Sequence, residues 1–115
     1  MSTDCLFCKI LQKQIPSKTV YEDDEVYAFH DIRPRAPVHV LIIPKVHIAK
    51  IADIGENEVP AVGKLVLAAK KIADMLNVSE KGYRLVFNNG PQAGQEVYHI
   101  HLHLLAGRDM TWPPG

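Results

Sequence analysis

A chain of 115 residues, 47% apolar and 23% charged, is sized for one compact domain spanning residues 1–115. Its 13 Lys and Arg balance 13 Asp and Glu, leaving no excess positive charge to track a nucleic-acid backbone, so no nucleic-acid partner is expected. Residues 1–5 lack the basic patch and apolar run of a signal peptide. No apolar stretch nears the roughly 20 residues that cross a bilayer, so the expected setting is cytoplasmic, with no membrane partner.

Asp4 is a good N-cap for a short helix over residues 4–13, which Pro16 ends. Within it, Cys5 and Cys8 sit three apart on one helical face. In reducing surroundings such a pair reads as thiols or metal ligands rather than a disulfide. Residues 19–22 and 26–31 form strands around the turn Asp23-Asp24, and the prolines of residues 33–37 demand a loop. A third strand, 38–43, stops at Pro44. Over residues 57–77, Val59, Val62, Leu65, Val66, Ala69, Ile72, Ala73 and Leu76 recur at steps of three and four. That spacing predicts one long helix with a single apolar stripe. A fourth strand follows at 83–88, then a glycine-bearing loop, then a last long strand at 97–105. The fold class expected is α+β, with a mainly antiparallel five-stranded sheet, one long helix and one short one.

The last strand carries three of the six histidines: His99, His101 and His103. Alternation along a strand puts all three rings on one face, about 6.6 to 6.8 Å apart, a gap that holds a tetrahedral phosphoryl group. An ordinary polar strand face would be served better by Thr, Lys or Glu. Triple metal ligation from one flat strand requires the outer rings to converge. Histidine is the one side chain that acts as neutral nucleophile, acid or ligand near pH 7, and phosphoryl chemistry fits the spacing best.

The run from His99 to Leu105 resembles the signature of the histidine triad superfamily. Cys5 to Ile10, Ala28 to Ile32, Ala36 to His39, Ile42 to Lys45, Gly94 to Tyr98 and Trp112 to Gly115 are similar to its Hint branch. The resemblance implies a homodimer with a continuous sheet that hydrolyses the P–N bond of purine nucleoside 5'-phosphoramidates, releasing an AMP-like product. His101 would be the nucleophile forming a covalent nucleotidyl-histidine, His103 the acid or phosphate donor, and His39 the supporting fourth histidine. Asp31 would take the ribose, with His30 and Ile32 bordering the nucleoside. Phe7, Ile10 and Phe29, with Ile15, would line the base pocket, although the same residues suit a core. Asn88, Gly94, Gln95, Glu96 and Val97 would surround the phosphate, where backbone N–H groups of a glycine turn can approach an anion. Trp112 would reach the partner's site.

Two features need separate readings. Glu96 stands where animal members have serine; beside a phosphate its carboxylate is tolerated best when paired with a cationic leaving amine. Cys5 and Cys8, with His47 and His99, match a structural zinc set of microbial members, which would hold His99 and need no metal for catalysis. Competing functions are dinucleoside polyphosphate hydrolysis, against which the third histidine speaks, and a nucleotide-binding scaffold dimer with incidental activity.

Overall fold

The computed structural model describes residues 4–115; residues 1–3, part of the stretch read as leader-free, lie outside the described residues. The short helix α1 (Leu6–Leu11) is capped by Cys5, whose sulfur accepts from the Cys8 N–H at 3.3 Å, rather than by Asp4. Strands β1 (Thr19–Glu22) and β2 (Val26–His30) form a hairpin around Asp23. The Asp23 carboxylate takes the N–H groups of Glu25 (2.8 Å) and Val26 (2.9 Å), an Asx turn that closes the loop. Strand β3 (Val38–Pro44), helix α2 (Val59–Met75), strand β4 (Tyr83–Phe87) and strand β5 (Leu102–Ala106) complete the fold.

The five strands run in the order β1-β2-β3-β5-β4, every pair antiparallel. Alternation then sorts their side chains. Val26, Ala28, Val40, Ile42, Leu102, Leu104 and Ala106 face α2, which meets them with Leu65, Ala68, Ala69, Ile72 and Ala73. The three alanines keep the helix close to the sheet. On the other face Tyr27, Phe29, Leu41 and Ile43 pack against Cys5, Phe7, Cys8 and Ile10 of the α1 segment. The sheet is therefore covered twice, by a long helix behind and a short one in front.

Two expectations need correction. Helix α2 starts at Val59, with Pro60 in its first turn, and it buries less than the expected stripe: Val59 and Val66 are exposed. The last strand is also shorter, Leu102–Ala106 instead of 97–105, so of the triad only His103 lies in a strand. Residues 95–101 are held by single contacts to the chain leaving β3. Ile100 N–H donates to Ile48 C=O (2.6 Å), Gln95 Nε2 to Ala49 C=O (2.9 Å), and His99 Nε2 to Pro44 C=O (2.8 Å). Among the described residues no helix is long and apolar enough to cross a membrane.

Candidate active site and metal site

The break in the strand divides the three histidines. His99 turns into a pocket with Cys5, Cys8 and His47, whose ligand atoms all lie within 4.8 Å of one another. His99 Nδ1 is 3.4 Å from Cys5 Sγ, 3.6 Å from Cys8 Sγ and 3.2 Å from His47 Nδ1, and the His47 nitrogen is 3.3 Å from Cys8 Sγ. Tetrahedral zinc with bonds of about 2.05 Å to nitrogen and 2.3 Å to sulfur has N···N edges of about 3.35 Å and N···S edges of about 3.55 Å. The four side chains match that figure.

Their chemistry matches as well. The Pro44 carbonyl can only accept, so His99 Nε2 carries the proton and Nδ1 turns its lone pair into the cluster. Burial holds His99 down at about 4 and, with the neighbouring Cys5, raises the Cys8 thiol to about 11. Converging imidazole lone pairs and sulfurs suit a cation, which would deprotonate the thiols it bound.

His101 lies on the near side of Phe7, with ring centroids 5.1 Å apart and nearly perpendicular, while Phe7 meets His99 at 6.0 Å. Its Nδ1–H donates to the His99 carbonyl at 2.9 Å, so Nε2 is left as the free lone pair. Burial lowers the His101 pKa, against the upward pull of that hydrogen bond and of the Asp31 and Glu96 carboxylates. The ring is therefore neutral at pH 7, with that lone pair available.

His103 stands 4.9 Å from His101, centroid to centroid, on β5 opposite Leu41 of β3 and Val86 of β4. The Arg35 backbone N–H donates to His39 Nδ1 at 3.0 Å, so the remaining His39 proton is on Nε2. That proton faces His103 Nδ1 at 2.9 Å and Asp31 Oδ2 at 3.4 Å. His103 Nδ1 accepts, and its own proton is consequently on Nε2. Burial, with His101 and His39 alongside, pushes His103 down to about 4. Burial also lowers His39, against the pull of Asp31. One ring of the pair thus offers a lone pair and the other an N–H. Asp31, His39 and His103 are also spaced as a metal cluster, but ligation through His39 Nε2 would move its proton to Nδ1, the nitrogen that already accepts the Arg35 N–H.

Asp31 follows β2, its Oδ1 taking the Arg33 N–H at 2.8 Å, with Ile32 exposed beside it. His30 ends β2 exposed and on the alternation of Ala28, the helix-covered face, away from Phe29. Phe7, Ile10 and Phe29 are buried together in the core in front of the sheet. Asn88 is half-buried just past β4, Val97 is half-buried, and Glu96 is exposed. The glycine turn differs from its expected use. Gly94 N–H donates to Pro91 C=O and Gln95 N–H to Gly90 C=O, while the Gln95 amide bridges Gly90 N–H, Ala49 C=O and Val97 C=O. Gln95 therefore ties the loop, and Gly94 supplies its left-handed φ of 83°. Trp112 is 82% exposed. Three groups were not anticipated: the Arg35 N–H and the His99 and Pro44 carbonyls. Backbone donors and acceptors carry no side-chain signature.

The family model of the HIT domain matches residues 12–110. A HIT family hydrolase from Legionella pneumophila Philadelphia 1, known from its crystal structure, superposes with a TM-score of 0.95 at 57% identity. The match covers 97% of this chain and 100% of that one. A 14 kDa zinc-binding protein of Brassica juncea is 49% identical over 114 residues, 97% of this chain and 100% of its own. The adenylylsulfatase HINT1 of Arabidopsis thaliana is 48% identical over 112 residues, 96% of this chain and 76% of its own.

Proposed function

This chain belongs to the HIT domain family, and from that premise we propose that it is a purine nucleoside phosphoramidase acting through a nucleotidyl-His101 intermediate. The observation that carries the reading is the opposed pair of tautomers on rings 4.9 Å apart: His101 keeps an Nε2 lone pair, and His103 an Nε2–H. His101 Nε2 bonds to phosphorus as the P–N bond breaks. The bond pair leaves on the amine nitrogen, which takes a proton from solvent. Water then attacks phosphorus, loses its proton to solvent, and His101 departs with its electron pair. His103 donates a hydrogen bond to the phosphoryl oxygen throughout, strongest when charge builds there. The ribose goes to Asp31 and the base beside Ile10 and Phe29, with Phe7 as the wall behind His101. Glu96, whose charge reaches His101, favours leaving amines that are themselves cationic.

Zinc, held by Cys5, Cys8, His47 and His99, would anchor the segment bearing the nucleophile and take no part in the bond changes; relatives named as zinc-binding support this. A homodimer is supported by the open edge of β4, where Leu85 is exposed, and by the apolar flank of α2 at Val59, Val66 and Leu67. In that assembly Trp112 would reach the partner's site.

A second reading has its own support. His103 is poised as a hydrogen-bond donor more than as a proton source, which suits a leaving group that departs unprotonated, such as the sulfate of adenylyl sulfate. A relative is named for that activity. Turnover of adenosine 5'-phosphoramidate and adenylyl sulfate, side by side, by wild type and His101→Asn tests both. AMP release from the phosphoramidate that vanishes in the variant is expected; none from wild type refutes the phosphoramidase.

A further inference from the structure

The relay that orients His103 starts outside the site, at a backbone N–H in the proline-rich loop of residues 33–37. A loop of that kind holds a backbone donor in one place only if something fixes it. The turn leaving β5 does so by two contacts. Arg108 Nε donates to the Arg35 carbonyl at 3.1 Å, while its Nη1 is steadied on the Asp109 carbonyl at 3.1 Å. Gly107 lies so close to the loop that a Cβ there would stand 2.8 Å from Pro37 Cβ, at a φ of 93° that side chains rarely adopt. Arg35 is thus gripped at its carbonyl while its N–H serves His39.

We propose that the Gly107–Arg108 turn is a clamp that holds the Arg35 N–H against His39 and so sets His103 as the hydrogen-bond donor of the active site. Arg108 and Arg35 touch no reacting atom; they are positioning residues. Without the Arg35 donor, His39 can carry its proton on Nδ1 and turn a lone pair toward His103. His103 then moves its own proton to Nδ1 and presents a bare Nε2 to the phosphoryl oxygen, a repulsive contact where a hydrogen bond stood. The catalytic consequence rests on the phosphoramidase reading; the tautomer consequence does not.

The test uses the full chain in two variants that remove the same charge. Arg108→Met keeps the length and deletes the donor, whereas Arg108→Gln restores an N–H at the atom where the arginine Nε stood. Ring ¹⁵N spectra of His39 and His103 report which nitrogens carry protons. In the wild type, Nδ1 of both rings is expected bare and Nε2 protonated. In Arg108→Met a second tautomer of His103 appears, and kcat for the phosphoramidate falls about tenfold, the value of one hydrogen bond, with KM nearly unchanged. Arg108→Gln restores both readings, and Gly107→Ala reproduces the methionine result. Wild-type ring spectra in Arg108→Met, or a glutamine variant no better than the methionine one, overturns the clamp. If the wild type turns over no phosphoramidate, the functional reading fails while the spectra still decide the clamp.

Discussion

Phe7→Ala examines whether α1 is a wall behind the nucleophile or the floor of a base pocket. Phe7 is 4% exposed and meets three rings edge to face: Phe29 at 5.5 Å, His99 at 6.0 Å and His101 at 5.1 Å. Truncating a buried phenylalanine costs about 3–5 kcal/mol, of which edge contacts contribute about 0.5–1.5 kcal/mol each. A domain of this size has roughly 5–15 kcal/mol in total, so the alanine variant stands near the limit of folding. Phe7→Leu keeps most of the apolar volume and should lose about 1–2 kcal/mol. Urea denaturation of metal-loaded protein reads both, as a shift in midpoint at constant m. Activity supplies the second axis. A wall supports His101, so both variants should lower kcat, alanine the more, with little change in KM. A loss below about 1 kcal/mol in Phe7→Ala, with KM raised and kcat intact, would refute the reasoning and return Phe7 to the base pocket.

Acid should destabilise the fold through His103. Its pKa is depressed from 6.5 to about 4, so the unfolded chain takes up a proton between those values and the folded one does not; stability falls as pH drops through that window. The ceiling is about 3 kcal/mol, reduced to about 1–2 kcal/mol by partial exposure, and denaturation at pH 7 and 4.5 should show a smaller acid loss in His103→Gln than in wild type. Protein purified without added zinc should carry about one zinc per chain, and Cys8→Ser should carry far less with a lower Tm; metal-free wild type with both thiols titrating freely contradicts the site. Val66→Glu, on the exposed flank of α2, should convert a dimer to a folded monomer in sedimentation, and a wild-type chain that already sediments at 12.9 kDa contradicts the dimer.

Much of this was legible in residue order. The Asp23 turn, the prolines around residues 34–37 and the strand ended at Pro44 mark elements whose local chemistry allows little else. Cys5, Cys8, His47 and His99, the four residues that the resemblance implied for zinc, do come together in a cluster that could hold a metal ion. What misled was alternation. Residues 97–101 keep the apolar–polar rhythm of a strand, yet they meet residues 44–48 through one backbone bond at Ile100 and the His99 side chain, and Phe7 packs against both His99 and His101. On α2, Val59 and Val66 look like core because periodicity cannot distinguish a face covered by the chain itself from one left open. The tautomers were out of reach altogether. They depend on the Arg35 N–H and on the His99 and Pro44 carbonyls, and every residue but proline carries both kinds of group.

The central claim is that His101 Nε2, neutral and free, forms a bond to phosphorus. Rapid acid quench of the protein with an adenosine 5'-phosphoramidate, followed by intact-mass and peptide mass spectrometry, tests it directly. The account predicts one adenylyl group, on His101, absent from His101→Asn. An adenylyl group on another side chain, or turnover in which none accumulates on His101 even when the second step is slowed, would contradict it.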